Sequence, residues 1–131
     1  MSVVRSASDI ERTFASLGQQ PGSSAIIPPD TFTTIHAALI RKLAAYHRVP
    51  TIYGGRQGAA DSGLMSYGPD ILDVVRRSAS YIDRILRGER PSELPVQTPT
   101  KFEMTINLKA AKELGLQVPP SMLARADELI E

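Results

Sequence analysis

Cysteine is absent from the 131 residues, which excludes disulfides, thiolate catalysis and Cys-ligated zinc and leaves the compartment open. Charge of one sign is lacking too. Fifteen Lys and Arg stand against fourteen Asp and Glu, for a formal net charge of +1. Without a basic cluster there is no electrostatic footprint for nucleic acid, and no nucleic-acid partner is expected. Arg76, Arg77, Arg84 and Arg87 do fall in one stretch, but Asp73 and Asp83 are interspersed, so they read as a solvated helix face. No apolar run approaches the roughly 20 residues of a membrane span. The opening Met1-Ser2-Val3-Val4-Arg5-Ser6 has no apolar signal core, so no secretory signal is expected there. Internal repeats and low-complexity tracts are missing as well. What is present, 42% apolar and 22% charged residues, is ordinary for a globular chain. The length allows one domain with a single core, spanning 1–131, but not two lobes.

Along the chain, strand and helix signals alternate. Val3-Val4 reads as the tail of a short strand. Ser6 and Asp9 form a capping-box pattern ahead of a helical stripe of Ile10, Phe14 and Leu17 that stops at Gly18. Ser24-Ala25-Ile26-Ile27 is a short buried strand ended by Pro28-Pro29. Asp30 caps a helix expected over 31–47, with Phe32, Ile35, Leu39, Leu43 and Tyr46 on one face. A strand follows at 51–53, a glycine-rich connection at 54–63, and a third strand at 64–66. Pro69 is expected at the first turn of a helix running to Arg87 and ended by Gly88. Its apolar residues, from Ile71 to Leu86, cover about half the circumference, wider than the roughly 100° stripe of a surface helix. Two surfaces should therefore pack on it. Residues 89–100 hold three prolines and read as an extended connector. Phe102, Met104 and Ile106 alternate as in a half-buried strand. A short helix over 108–114 ends at Gly115, and Pro119-Pro120 starts a last helix carrying Met122, Leu123, Ala126 and Leu129. The fold class is α/β, a three-layer, mostly parallel sheet.

Catalytic patterns are thin. His36 and His47 share a helix face but lie about 16 Å apart at 1.5 Å per residue, too far to hold one metal ion. Ser66 sits two residues before Gly68, half of a G-x-S-x-G elbow, but position 64 is Leu. Tyr53-Gly54-Gly55-Arg56-Gln57-Gly58 is not a dinucleotide fingerprint and reads as a loop. No enzyme, cofactor or metal is expected. The candidate ligand-binding residues lie just past the strand ends, where open α/β sheets bind ligands: Asp30, Thr31, Tyr53, Ser66 and Tyr67. Asp30 could pair with an ammonium or serve only as an N-cap. Tyr53 or Tyr67 could stack on a flat group or simply pack at a strand end.

Several segments together are more specific than any one of them. These are Ser66-Tyr67-Gly68, Ile85-Leu86-Arg87-Gly88, Pro95-Val96, Lys101-Phe102-Glu103, Ile106-Asn107-Leu108-Lys109-Ala110-Ala111 and Leu114-Gly115-Leu116, with Ile27-Pro28-Pro29-Asp30 upstream. In them the chain resembles the C-terminal half of the substrate-binding proteins of bacterial ABC importers, in the tryptophan- and amino-acid-binding group. The resemblance implies one lobe of a type I periplasmic binding protein, with the helix at 69–87 normally packed on the other lobe. It also implies an amino-acid-like small-molecule solute, an ABC permease as partner, and a periplasmic or membrane-anchored extracytoplasmic location. Where the family often has Asp followed by Asn, this chain has Thr31. The other reading is a stand-alone α/β interaction or regulatory domain that kept the fold without transport. On either reading the half-apolar helix at 69–87 should be partly uncovered and mediate a homodimer.

Overall fold

The computed structural model describes residues 4–131. Val3 lies outside the described residues. Val4 is in no strand, but it packs against the apolar core. Helix α1, Ala7–Gly18, starts as its sequence dictates: Ser6 Oγ accepts from Asp9 N at 3.2 Å, and the Asp9 carboxylate accepts from Ser6 Oγ at 2.8 Å and from Arg5 N at 3.1 Å. Ile10 and Phe14 from this helix, together with Ile40, Ala44 and Val49, make the core cluster, with Ala25 and Ile27 of β1 (Ala25–Ile27) beside it. Gly18 ends α1 for a packing reason: a Cβ there would lie 2.9 Å from His47 Cβ.

The helix expected over 31–47 is two. Helix α2 (Thr31–Ile35) and α3 (Ala37–His47) meet at His36, whose ψ of 11° breaks the α conformation. His36 Nδ1 lies 2.9 Å from the carbonyl oxygen of Phe32. The break turns α3 relative to α2, so the buried pair is Ile40 and Ala44, while Ile35 and Tyr46 of the expected stripe are exposed. Strand β2 is Thr51–Tyr53, and within the glycine-rich connection lies a further short helix, α4 (Arg56–Ala60). Strand β3 runs over Met65–Pro69, so Pro69 closes a strand and Asp70 starts the helix instead. Asp70 Oδ1 accepts from Leu72 N at 2.9 Å and Asp73 N at 3.1 Å, which caps α5 (Ile71–Leu86).

A connector with one 3₁₀ turn at Pro91–Glu93 leads to β4 (Phe102–Asn107) and α6 (Leu108–Leu114), which ends at Gly115 in the left-handed region, φ 71°. The expected last helix is only α7, Pro120–Leu123. The chain then turns into a fifth strand, β5 (Glu128–Ile130), that contains Leu129. The free edge of β4 outcompetes helix continuation: Asp127 N donates to Met104 O at 2.9 Å, and Met104 N donates to Asp127 Oδ2 at 2.8 Å.

The sheet order is β1-β2-β3-β4-β5, parallel throughout except for the antiparallel β3–β4 pair. Crossovers between parallel strands are right-handed. The β1–β2 and β4–β5 units point in opposite directions, so their helices fall on opposite faces and make three layers. The sheet is mixed α/β and mostly parallel. Helix α5 stands apart from the layers. None of its residues is buried, and Ile71, Leu72, Val75, Ile82, Ile85 and Leu86 are exposed. Burying one aliphatic side chain fully is worth about 1.5–3 kcal/mol, a gain this helix forgoes.

Candidate functional site

The carboxyl ends of β1, β2 and β3 and the amino ends of the oppositely directed β4 and β5 meet along one edge of the sheet. Asp30 stands at this edge, but its carboxylate is engaged: Oδ1 accepts from Thr33 N at 2.7 Å in a capping box. Thr31, the first residue of α2, is exposed beside it. A cleft of about 240 Å³ beside it is lined by Pro28, Pro29, Thr33, Arg41, Tyr53 and Gly54.

Tyr53 and Ser66 are direct neighbours across the β2–β3 pair, and Thr105 and Glu128 continue the same row. Side chains in one row share a sheet face. Ser66 is 2% exposed and lies inside the strand, with none of the exposure of a nucleophile elbow. The Tyr53 ring is clamped by two glycines: a Cβ on Gly58 would meet its Cγ at 2.2 Å, and one on Gly63 its Cε2 at 2.4 Å. Its Oη is buried without a hydrogen-bond partner among the described residues, and burial raises its pKa. Tyr53 and Ser66 thus form the floor behind the edge.

Tyr67 points to the opposite face and is 54% exposed. Its ring stacks on Phe102 with centroids 5.7 Å apart and planes 21° from parallel. The two rings make an apolar slab at the sheet end of α5.

Two glycines and two ion pairs, which no sequence motif links, also stand at the edge. Gly68 and Gly54 bring two backbones together, since a Cβ on Gly68 would sit 2.0 Å from Gly54 O. Only glycine fits there. Arg56, the second residue after Gly54, donates to Glu128 through Nε at 2.6 Å and Nη2 at 2.5 Å, a fork that reaches across 72 positions of sequence. The guanidinium holds the Glu128 carboxyl below its usual range. Lys101 Nζ donates to Asp70 Oδ2 at 2.6 Å and Glu103 Oε1 at 3.1 Å, and it depresses the Asp70 pKa in the same way. Between these two ion pairs lies a cleft of about 180 Å³ lined by Gly55, Arg56, Gly68, Pro69, Asp70 and Glu103. The two edge clefts are smaller than the roughly 300–1,000 Å³ of a site that encloses a drug-sized ligand. A larger space of about 380 Å³ lies between α5 and the connector, away from this edge. Among the described residues no group of His, Cys, Asp or Glu is placed to hold a metal ion, and no helix is long and apolar enough to cross a membrane.

Solved structures share this architecture. A conserved domain protein from Vibrio cholerae O1 biovar El Tor matches 98% of the chain with TM-score 0.86 and 21% identity. An ABC domain in complex with L-Trp from Streptococcus pneumonia matches 97% with TM-score 0.83 and 24% identity. A ligand-free, open substrate binding protein with adhesive properties from Clostridium difficile matches 97% with TM-score 0.65 and 18% identity. At these identities the likeness is one of fold, that of periplasmic-binding-like α/β proteins. The chain spans 43%, 44% and 42% of those three chains, less than half of each. No curated protein matches the sequence. The model of one family, described as ABC transporter substrate binding protein, covers residues 1–130. By that match across almost its whole length, the chain belongs to the ABC transporter substrate binding protein family.

Proposed function

We propose that the sheet edge is one wall of a cleft for an amino-acid-like solute, in a protein that delivers it to an ABC permease outside the cytoplasm. The observation that carries this reading is the edge itself, in a chain of this family. Tyr67 and Phe102 offer an apolar slab for a flat side chain, with Asp30, Thr31 and Arg56 as polar groups along the same edge. Tyr53 and Ser66 support the edge from behind. The L-Trp bound to the Streptococcus pneumonia protein is a ligand of this chemical kind, with an ammonium, a carboxylate and an aromatic body.

An open wall buries too little of a small molecule for tight binding. The 131-residue chain should therefore bind L-Trp with a Kd of about 1 mM or weaker. In a titration followed by backbone amide NMR, the shifts should be confined to residues 28–31, 53–56, 66–70 and 102–103. Shifts elsewhere, or tight calorimetric binding by the isolated chain, would overturn the assignment. A second reading, a stand-alone interaction domain, is favoured by one observation, the uncovered apolar face of α5.

A further inference from the structure

The cleft of about 180 Å³ at the edge carries charges of both signs that stop short of each other. Arg56 and Glu103 both line it. Each is held by a partner of its own: Arg56 pairs with Glu128, and Glu103 pairs with Lys101, which also holds Asp70. No ion pair among the described residues joins Arg56 to Glu103. Their charges are still close enough to interact, since Glu128 chiefly, and Glu103 after it, raise the Arg56 pKa.

Both groups keep bonding capacity to spare. The fork to Glu128 uses Nε and Nη2 of Arg56, which leaves Nη1 and the second Nη2 hydrogen as a further pair of donors. Glu103 accepts from Lys101 through Oε1, which leaves Oε2. The other carboxylates at the edge are spent. Asp70 accepts from two amides and from Lys101, and Asp30 is engaged as a cap. We infer that the cleft between Arg56 and Glu103 receives the zwitterionic head group of an α-amino acid, its carboxylate on Arg56 and its ammonium on Glu103.

The inference rests on the edge being one wall of a solute cleft, and charge order selects the occupant. Through their pairs the groups run Glu128, Arg56, gap, Glu103, Lys101, Asp70. A carboxylate and an ammonium placed in the gap continue the alternation of sign from end to end. A lone anion would face Glu103, and a lone cation would face Arg56. A side chain from another protein segment carries one charge and satisfies one of the two groups. Glu128 and Lys101 thereby act as positioning residues that keep Arg56 and Glu103 from closing on each other. The volume suits a head group of a few heavy atoms and is too small for a whole drug-sized ligand.

Backbone amide titrations of the 131-residue chain with L-Trp, tryptamine and indole-3-propionate test this, because the last two lack the carboxylate and the ammonium respectively. L-Trp should move amides at 55–56, 68–70 and 103, and should bind about fivefold tighter than either analogue, the scale of one partly exposed ionic contact. Arg56→Gln should weaken L-Trp about fivefold without weakening tryptamine. Glu103→Gln should weaken L-Trp by a similar factor without weakening indole-3-propionate. Far-UV circular dichroism should be unchanged in both variants, since Lys101 keeps Asp70 and Glu128 keeps Thr105. Glycine, the head group alone, should move the same amides. L-Trp shifts at 28–31 and 66–67 that spare 55–56 and 103 would overturn the head-group site and leave the edge reading standing. Equal binding of L-Trp and both analogues would do the same. No response to L-Trp or glycine anywhere along the edge would overturn both.

Discussion

Helices α1 and α5 are both amphipathic and both begin with a side-chain cap, yet they meet opposite fates. Ile10 and Phe14 of α1 are buried against α3, whereas no residue of α5 is buried. The difference lies in what each helix crosses. Gly18 lets α1 close onto His47, and its stripe joins the cluster against which Ala25 and Ile27 of the sheet also pack. Helix α5 leaves the end of β3 and returns through a connector bound to its polar flank, by Tyr81 to Pro95 and Arg77 to Gln97 and Thr100. Amphipathicity thus shows that a face seeks cover, and only topology supplies the cover.

The comparison breaks most visibly under truncation. Phe14→Ala should cost about 3–5 kcal/mol, as removal of a buried aromatic does. Ile82→Ala, measured at concentrations where the chain is monomeric, should stay within about 0.5 kcal/mol, as surface substitutions do. Urea unfolding of both variants measures this. Similar costs at the two sites would mean that α5 is covered within the single chain.

Two glycines sharpen the contrast between the sheet and the arm formed by α5 and its connector. Gly68→Ala forces a methyl group to 2.0 Å from Gly54 O. The backbones must separate, which by the scale of overpacking should cost about 1–3 kcal/mol and open both edge clefts. At Gly88 the space is free, and the only penalty is its φ of 99°, about 1–2 kcal/mol for a left-handed residue. The two variants can match in stability yet differ at the edge. Amide shifts at residues 54–56 should move strongly in Gly68→Ala and not in Gly88→Ala.

How far the sequence discloses this molecule depends on how local each determinant is. The α1 cap, β1, β2 and the strand near 102–107 are encoded within a few residues and are readable. The break at His36 rests on a local backbone preference with no Pro or Gly to mark it. Helix α4 hides in the glycine-rich stretch because Gly54, Gly58 and Gly63 serve contacts with Pro29, Gly68 and Tyr53 instead of flexibility. Strand β5 exists because β4 offers it an edge, which no window around Leu129 reveals. The same holds at the site. The places of Asp30 and Tyr67 at the edge follow from strand ends that the sequence marks, while Arg56 with Glu128 and Gly54 with Gly68 become partners only in three dimensions.

The smallest expected effect lies where sheet and arm join. Asp70, the residue that follows β3, caps α5 and is held by Lys101, the residue that precedes β4. Asp70→Ala should remove a cap worth about 1 kcal/mol. The charge on Asp70 adds a pH signature. Its folded pKa is lowered, first by the Lys101 hydrogen bond and then by the Asp73 amide, so the unfolded chain binds its proton more readily. The stabilisation is therefore fully present above the unfolded value of about 3.9 and is lost as pH falls through the lower folded value. Asp9 behaves likewise at the start of α1, with a pKa lowered to about 2 by Ser6, Arg5 and Arg12. Thermal melts of the parent chain between neutral pH and acid should fall most steeply below about pH 4. In Asp70→Asn and Asp9→Asn that slope should be shallower, each by its own share. The α5 circular dichroism should loosen first only in the parent and in Asp9→Asn, where the Asp70 carboxylate still titrates. If Asp70→Asn leaves the acid slope unchanged, the Lys101 ion pair does not couple the arm to the sheet.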